Sequence, residues 1–185
     1  MPAVVVSRSR AYGAQLVACR AAPQPLVPDP MTLASNEHLL SWLDAHYRGM
    51  PPVAAMDVAI AGYDGDKLRL TAPLSHNVND KGCAFGGSLS SLMTLAAWGV
   101  VTLRIQSAGM RADVFVADSQ VRYLAPLYAD LEAEAEAAPE SDWHAFLATL
   151  AERGRARTEL VARVGLPEGG DAATFRARFV AFRKG

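Results

Sequence analysis

The 185-residue chain has little cysteine and no surplus of charge. Two cysteines, Cys19 and Cys83, cannot build a disulfide framework and fit a reducing compartment, so a cytoplasmic protein is expected. Eighteen Lys and Arg residues against nineteen Asp and Glu leave a formal net charge of -1, which argues against bulk binding to nucleic acid. No signal peptide is predicted, because the apolar run at residues 4–6 is short and arginines come soon after it.

The N-terminal segment lacks any hydrophobic period. Residues 1–34 are predicted to form an extended or disordered arm because they hold Pro2, Pro23, Pro25, Pro28 and Pro30. Met31 is a candidate for the biological start, since an ordered pattern begins just after it. Residues 35–185 are predicted to form one domain, and neither internal repeats nor low-complexity segments are found in them.

A long uncharged stretch dominates the rest of the chain. Residues 77–82 form a polar loop that holds two asparagines, Asp80 and Lys81, and no charged residue lies between Cys83 and Leu103. The run predicts a helix buried on nearly all sides, with its first turn opened by Gly86 and Gly87. It is long enough to span a membrane, but its serines and the period-two strands after it favour a core helix, so no membrane span is expected.

The flanking patterns predict two strands before this helix and four after it. The helices are expected at about 36–47, 83–109 and 139–153, and the strands at 53–61, 67–72, 114–124, 131–137, 155–164 and 174–182. One strand has an acidic outer face at 130–136 and the next has a basic face at 155–163, which favours antiparallel neighbours with opposed charges. The order predicts an α+β hot-dog fold, in which an antiparallel sheet of about six strands wraps one buried helix.

The start of the central helix is a candidate oxyanion site. The first backbone N–H groups of a helix are unpaired, and the helix dipole adds partial positive charge there. Gly86 and Gly87 let a ligand approach that backbone, and Asn79 in the preceding loop offers a further donor. The alternatives are a loop-stabilising Asn79 and glycines selected for close packing.

Two motifs carry a family resemblance. The segments NDKGCAFGGSL at 79–89 and DSQVRYLAP at 118–126 resemble the YiiD C-terminal-domain thioesterase family of the hot-dog superfamily, over residues 35–184. Related phenylacetyl-CoA-type thioesterases have an asparagine and, starting six positions after it, His-Gly-Gly. Asn79 matches that asparagine, Phe85 replaces the histidine, and Gly86 and Gly87 match the glycines.

The resemblance fails at the catalytic acid. Those relatives carry Asp or Glu about two turns into the helix, where this chain has Thr94. Hydrolysis needs an activated water or a carboxylate nucleophile, whereas decarboxylation of a malonyl thioester needs only stabilisation of an enolate. The resemblance to malonyl-ACP decarboxylases, which form acetyl-ACP to start fatty acid synthesis, therefore favours that reaction. A thioesterase and a non-catalytic acyl-thioester-binding module are the alternatives.

The remaining candidate residues line the same region. We expect Asn79, Gly86 and Thr94 to be catalytic, and the predicted substrate-binding residues are His76, Asp80, Phe85, Gly87 and Ser88. Cys83 has no histidine at a recognisable spacing and is a weaker candidate nucleophile. The histidines form no metal-ligand pattern, so neither a metal nor another cofactor is expected.

The resemblance also implies partners. The substrate would be an acyl-ACP or acyl-CoA thioester, and the protein would be a homodimer or a dimer of dimers in which Thr94 faces the 77–85 loop of the other chain. The basic surplus from residue 151 onward could dock an acyl carrier protein or the phosphates of coenzyme A. The alternative is a solvated strand face paired with the acidic residues at 130–136.

Overall fold

The computed structural model describes residues 36–185, so the predicted arm at 1–34 lies outside the described residues. Four α-helices and six strands make up most of this part of the chain. The helices are α1 (Asn36–Arg48), α2 (Pro51–Ala55), α3 (Gly86–Ser107) and α4 (Trp143–Arg153). The strands are β1 (Ala59–Tyr63), β2 (Leu68–Ala72), β3 (Ala112–Tyr123), β4 (Leu131–Ala137), β5 (Arg155–Gly165) and β6 (Asp171–Arg183).

The strands form one antiparallel sheet in the order β1-β2-β4-β5-β6-β3. Helix α3 contacts every strand from β2 to β6. This is the predicted α+β hot-dog fold, and the prediction is confirmed. Strand β3 is twelve residues long and pairs with β6 along one side, so it forms an edge of the sheet.

Helix α3 is the core of the fold. Its apolar residues are buried over most of its length, including Leu92, Met93, Val100 and Leu103. Gly99 lets it approach its neighbours closely, because a Cβ there would overlap the Leu68 side chain and the Tyr47 hydroxyl. Among the described residues, α3 is the one helix long and apolar enough to cross a membrane, but 67% of its most apolar window is buried inside the fold. That burial favours a core helix.

The predicted opposition of charges across β4 and β5 is present. Glu134 lies opposite Arg163 in the register, and their side chains form an ion pair at 3.3 Å. On the same face, Lys67 pairs with Glu134 and Glu136, and Arg176 pairs with Glu159. Several bases of the C-terminal region are therefore neutralised within the sheet.

The strand predicted at 53–61 is wrong in its first half. Residues 51–55 form the short helix α2, and β1 begins only at Ala59. Pro51 and Pro52 occupy the first helical positions, where the fixed φ of proline suits a helix and its missing N–H removes no helical bond. The pattern of apolar residues at 53–61 contains no sign of the helix start that these two prolines favour.

Candidate functional site

The loop before α3 is held in shape by Asn77. Its side chain is 2% exposed, and Nδ2 donates to the carbonyl oxygens of Met56 and Pro73, both at 2.9 Å. Its backbone carbonyl accepts from the N–H of Phe85 at 2.7 Å. Asn77 thus ties both ends of the loop to the body of the fold. It was not among the predicted site residues, although it opens the polar stretch.

Asn79 makes its hydrogen bonds within the loop. Its Oδ1 accepts from the backbone N–H groups of Lys81 at 2.8 Å and Cys83 at 3.3 Å, which fixes the orientation of the amide. Its Nδ2 lies 3.2 Å from Cys83 Sγ. Since an amide nitrogen carries two hydrogens, one donor is left after this contact. The loop-stabilising role is present in the structure, and donation to an oxyanion would use the second hydrogen.

Helix α3 begins without a side-chain cap. Phe85 stands at the N-cap position, and the first intrahelical bond runs from Leu89 N–H to the Phe85 carbonyl at 3.0 Å. The N–H groups of Gly86, Gly87 and Ser88 precede that bond, where a helix end offers donors to an anion. The Phe85 ring lies over Gly87, so that a Cβ on Gly87 would overlap it.

Tyr123 joins the two motifs in space. Its hydroxyl donates to the Gly86 carbonyl at 3.1 Å, and its ring lies 3.3 Å from the position of a Cβ on Gly86. Close by, the N–H of Ala84 donates to the Leu127 carbonyl at 2.8 Å. The end of β3 therefore packs on the start of α3. Tyr123 was not among the predicted site residues, although it lies inside the second motif.

Exposed apolar side chains surround this helix end. Phe85 is 54% exposed and Tyr123 is 57% exposed, and Val78, Leu124 and Tyr128 are also exposed. Val78 bridges to Ala84, and Tyr128 comes directly after the Leu127 that binds Ala84, so these side chains belong to one region. A cluster of exposed apolar groups indicates a surface that meets a ligand or another chain.

Thr94 does not meet the helix start within one chain. Eight residues separate it from Gly86, which is about 12 Å along the helix axis. Its hydroxyl donates to the Ser90 carbonyl at 2.8 Å, the bond expected of a threonine inside a helix. The half-buried Thr94 is uncharged, and α3 contains no Asp or Glu.

The other predicted residues lie in different environments. Asp80 is exposed and pairs with Lys81 at 2.9 Å, so it is a solvated loop residue. His76 is exposed, with Nδ1 4.0 Å from Asp57. Ser88 and Cys83 are buried beside the loop and the first helical turn. The structure therefore packs Phe85 on Gly87 at the start of α3 and holds Asn79 on Cys83 within the preceding loop, whereas Asp80 and His76 face solvent.

Two cavities lie away from this region. One of about 320 Å³ is lined by outward residues of β3 to β6, among them Arg122, Glu134 and Arg163. The other, of about 360 Å³, lies beside α4 and includes Asp142 and Arg157. Neither is lined by Asn79, Gly86 or Thr94.

The fold, the uncapped central helix and the asparagine loop define a protein of the thioesterase-like hot-dog class. A family model described as "Putative thioesterase (yiiD_Cterm)" matches residues 43–183. The chain belongs to this YiiD_C family, as its two motifs predicted.

Solved structures agree with this assignment. A Chlorobaculum tepidum protein of unknown function is 30% identical, with a TM-score of 0.75 over 80% of this chain and 96% of that chain. A thioesterase-family protein from Shewanella oneidensis is 28% identical, with a TM-score of 0.70 over 79% of this chain and 99% of that one. The PaaI protein of the E. coli phenylacetic acid degradation operon, at 16% identity and a TM-score of 0.57 over 82% and 97%, shares the fold.

Proposed function

We propose that the protein decarboxylates a malonyl thioester carried by acyl carrier protein, which forms acetyl-ACP for the start of fatty acid synthesis in the cytoplasm. The observation that carries this proposal is a helix with an open N-terminus and no carboxylate along its length. Such a helix can stabilise negative charge on a thioester oxygen but supplies no base for hydrolysis.

The reaction requires little of the protein besides electrostatics. The bond between the malonyl carboxylate carbon and its neighbour breaks, CO2 leaves, and the bonding electrons pass into a thioester enolate. The N–H groups of Gly86 and Gly87 and the second Nδ2 hydrogen of Asn79 stabilise the enolate oxygen. A proton from water then completes the acetyl thioester.

Thr94 keeps the substrate carboxylate free of repulsion. A carboxylate at this position would face the negative charge of malonate, whereas a hydroxyl is neutral. In the structure the hydroxyl donates to Ser90, and on substrate binding it turns to the malonyl carboxylate. The N–H groups of the helix start and Thr94 lie about 12 Å apart in one chain, so we place Thr94 of one protomer beside the loop of its partner.

Strand β3 supports this dimer. The strand is long and largely exposed, and the side that does not pair with β6 forms an edge of the sheet. An edge of this length offers unpaired backbone groups to a second chain. Antiparallel pairing of β3 with its copy would extend the sheet and cover the apolar region at Tyr123. A dimer of dimers is compatible with the same pairing.

Product analysis tests the reaction. Purified protein incubated with malonyl-ACP should form acetyl-ACP, which mass spectrometry separates from the free thiol released by hydrolysis. Malonyl-CoA and long acyl-CoA thioesters are assayed in parallel. Free thiol as the main product would overturn the decarboxylase in favour of a thioesterase.

Two alternatives have a specific observation in their favour. A thioesterase agrees with the description of the family and of the Shewanella oneidensis relative. A non-catalytic acyl-thioester-binding module agrees with the hydrogen bonds that Asn79 and Thr94 already make inside the chain. The same assay separates them, because the binding module would leave every thioester unchanged.

A further inference from the structure

One corner of the outer sheet face, the basic corner, combines arginines with exposed aromatic rings. Arg155 and Arg157 of β5 lie opposite Phe182 and Val180 of β6. On the other side of β6, Phe115 of β3 lies opposite Val180. The Phe115 and Phe182 rings meet edge-on with centroids 6.1 Å apart, and they are 55% and 40% exposed. The Arg155 guanidinium lies 5.2 Å from the Phe182 centroid.

The charges of the basic corner are not neutralised as they are elsewhere on the sheet. Farther along the same face, Arg163, Arg176 and Arg178 all form ion pairs with carboxylates. No carboxylate of the described residues lies within ion-pair distance of Arg155 or Arg157, and the nearby Asp113 is bridged to Lys184 at 2.7 Å. The basic corner therefore keeps positive charge around an apolar centre.

We infer that the basic corner docks an acidic carrier protein that delivers the thioester. Arginines flanking exposed aromatic rings match a surface on which carboxylates surround apolar side chains. This inference rests on the proposed function, and it favours a protein carrier over coenzyme A as the source of substrate. The alternative, a strand face whose arginines are paired with acidic residues, holds for Arg163 and Arg176. It does not hold for Arg155 and Arg157.

The basic corner lies beside the edge strand β3, on the side of the sheet that faces away from α3. The bulge between Val116 and Asp118 changes the alternation of β3, so the Phe115 side chain lies on the outer face whereas Tyr123 contacts Gly86 on the helix side. A carrier bound to the basic corner would therefore sit next to the β3 seam of the proposed dimer, on the outer face of the sheet.

The test compares the variant R155E/R157E with R69E, an exposed arginine on β2 that also lacks an ion pair in the described chain. Affinity for holo-acyl carrier protein is measured by calorimetry, and turnover of malonyl-ACP and malonyl-CoA is measured separately. We expect R155E/R157E to weaken carrier binding and raise KM for malonyl-ACP by at least about tenfold. R69E and the kinetics with malonyl-CoA should stay at wild-type values.

Carrier binding tests the docking surface, whereas the product formed in turnover tests the decarboxylase. If the wild-type protein binds holo-carrier and R155E/R157E does not, the docking surface stands even where hydrolysis replaces decarboxylation. Equal binding by both proteins, or an equal loss in R69E, overturns it. R155Q/R157Q serves as the milder variant, and circular dichroism checks that each protein is folded.

Discussion

At the scale of single residues, Thr94 is the side chain that distinguishes the two proposed reactions. The hydrogen bond from Thr94 to Ser90 shows that the side chain fits the helix without any ligand. The proposed role of Thr94 therefore depends on its lack of charge and on its contact with the substrate carboxylate. A substitution that adds a charge but keeps a similar side-chain size tests the first of these two properties.

Thr94→Asp should lower acetyl-thioester formation by at least about tenfold, because two carboxylates would meet in a poorly solvated site. Under hydrolysis the same change restores the acid of the relatives, and thiol release should be unchanged or faster. Both products are measured with purified protein, and Thr94→Ser is the matched control. A Thr94→Asp protein that forms acetyl thioester at the wild-type rate would contradict the decarboxylase.

Asn79→Ala should slow either reaction, since loss of one oxyanion donor typically costs on the order of 100-fold in rate. The variant also removes the acceptor for two loop N–H groups, so its thermal unfolding must be recorded alongside its rate. A folded Asn79→Ala protein with the full wild-type kcat would exclude Asn79 from the oxyanion site.

The contact between Phe85 and Gly87 gives another prediction at this scale. A methyl group on Gly87 would displace the Phe85 ring, which is free to swing because it is half exposed. Gly87→Ala should therefore raise KM with little loss of stability. In a Phe85→Ala background the same change should have no further effect on KM. Independent effects in the double variant would mean that Phe85 does not line the site.

At the scale of elements, α1 is attached to α3 by a stack of rings. His46 lies between Trp42 and Trp98, with centroids 5.2 and 5.1 Å away and nearly parallel planes. Trp98 is fixed from the other side, because its Nε1 donates to the Val114 carbonyl at 3.0 Å. Burial first, and then the positive charge of Lys184, lower the pKa of His46. The stack thus favours the neutral imidazole.

This environment makes the attachment of α1 sensitive to acid. The unfolded chain takes up a proton on His46 near its ordinary pKa of 6.5, whereas the folded chain does so only at lower pH. Stability should therefore fall as pH drops below about 6.5 and stop falling below the folded pKa. His46→Gln should remove this part of the decline in melting temperature. The exposed His38→Gln on the same helix is the control, and an identical decline in both would refute the assignment.

At the scale of the whole molecule, the proposed dimer rests on the exposed edge strand β3 and on the distance between Thr94 and Gly86 within one chain. Light scattering should report at least a dimer. Ser119→Lys, near the centre of β3, should bring two like charges together at the twofold axis and shift the protein toward monomer with loss of activity. Ala148→Lys on the exposed face of α4 should change neither property. A wild-type monomer that is fully active would rule out the shared site.

Much of the architecture could be predicted from residue patterns. Strands with one polar face, such as 131–137, alternate with period two, and a long uncharged run such as 83–103 favours a buried helix. Both patterns reflect which side chains avoid water, a preference that acts on each segment locally. The predicted helix starts were less reliable, since α4 begins at Trp143, where Asp142 caps it, rather than at 139.

The candidate site was predictable in its residue types but not in its contacts. The motif placed Asn79 and the glycines in one loop because they are neighbours in the chain. Folding across 37 residues brought Tyr123 to Gly86, and the register of β5 with β6 and β3 placed Arg155 and Arg157 beside two phenylalanines rather than carboxylates. The alternating charges predicted that the faces of β4 and β5 oppose each other, but only the long-range register decides which individual arginines are neutralised.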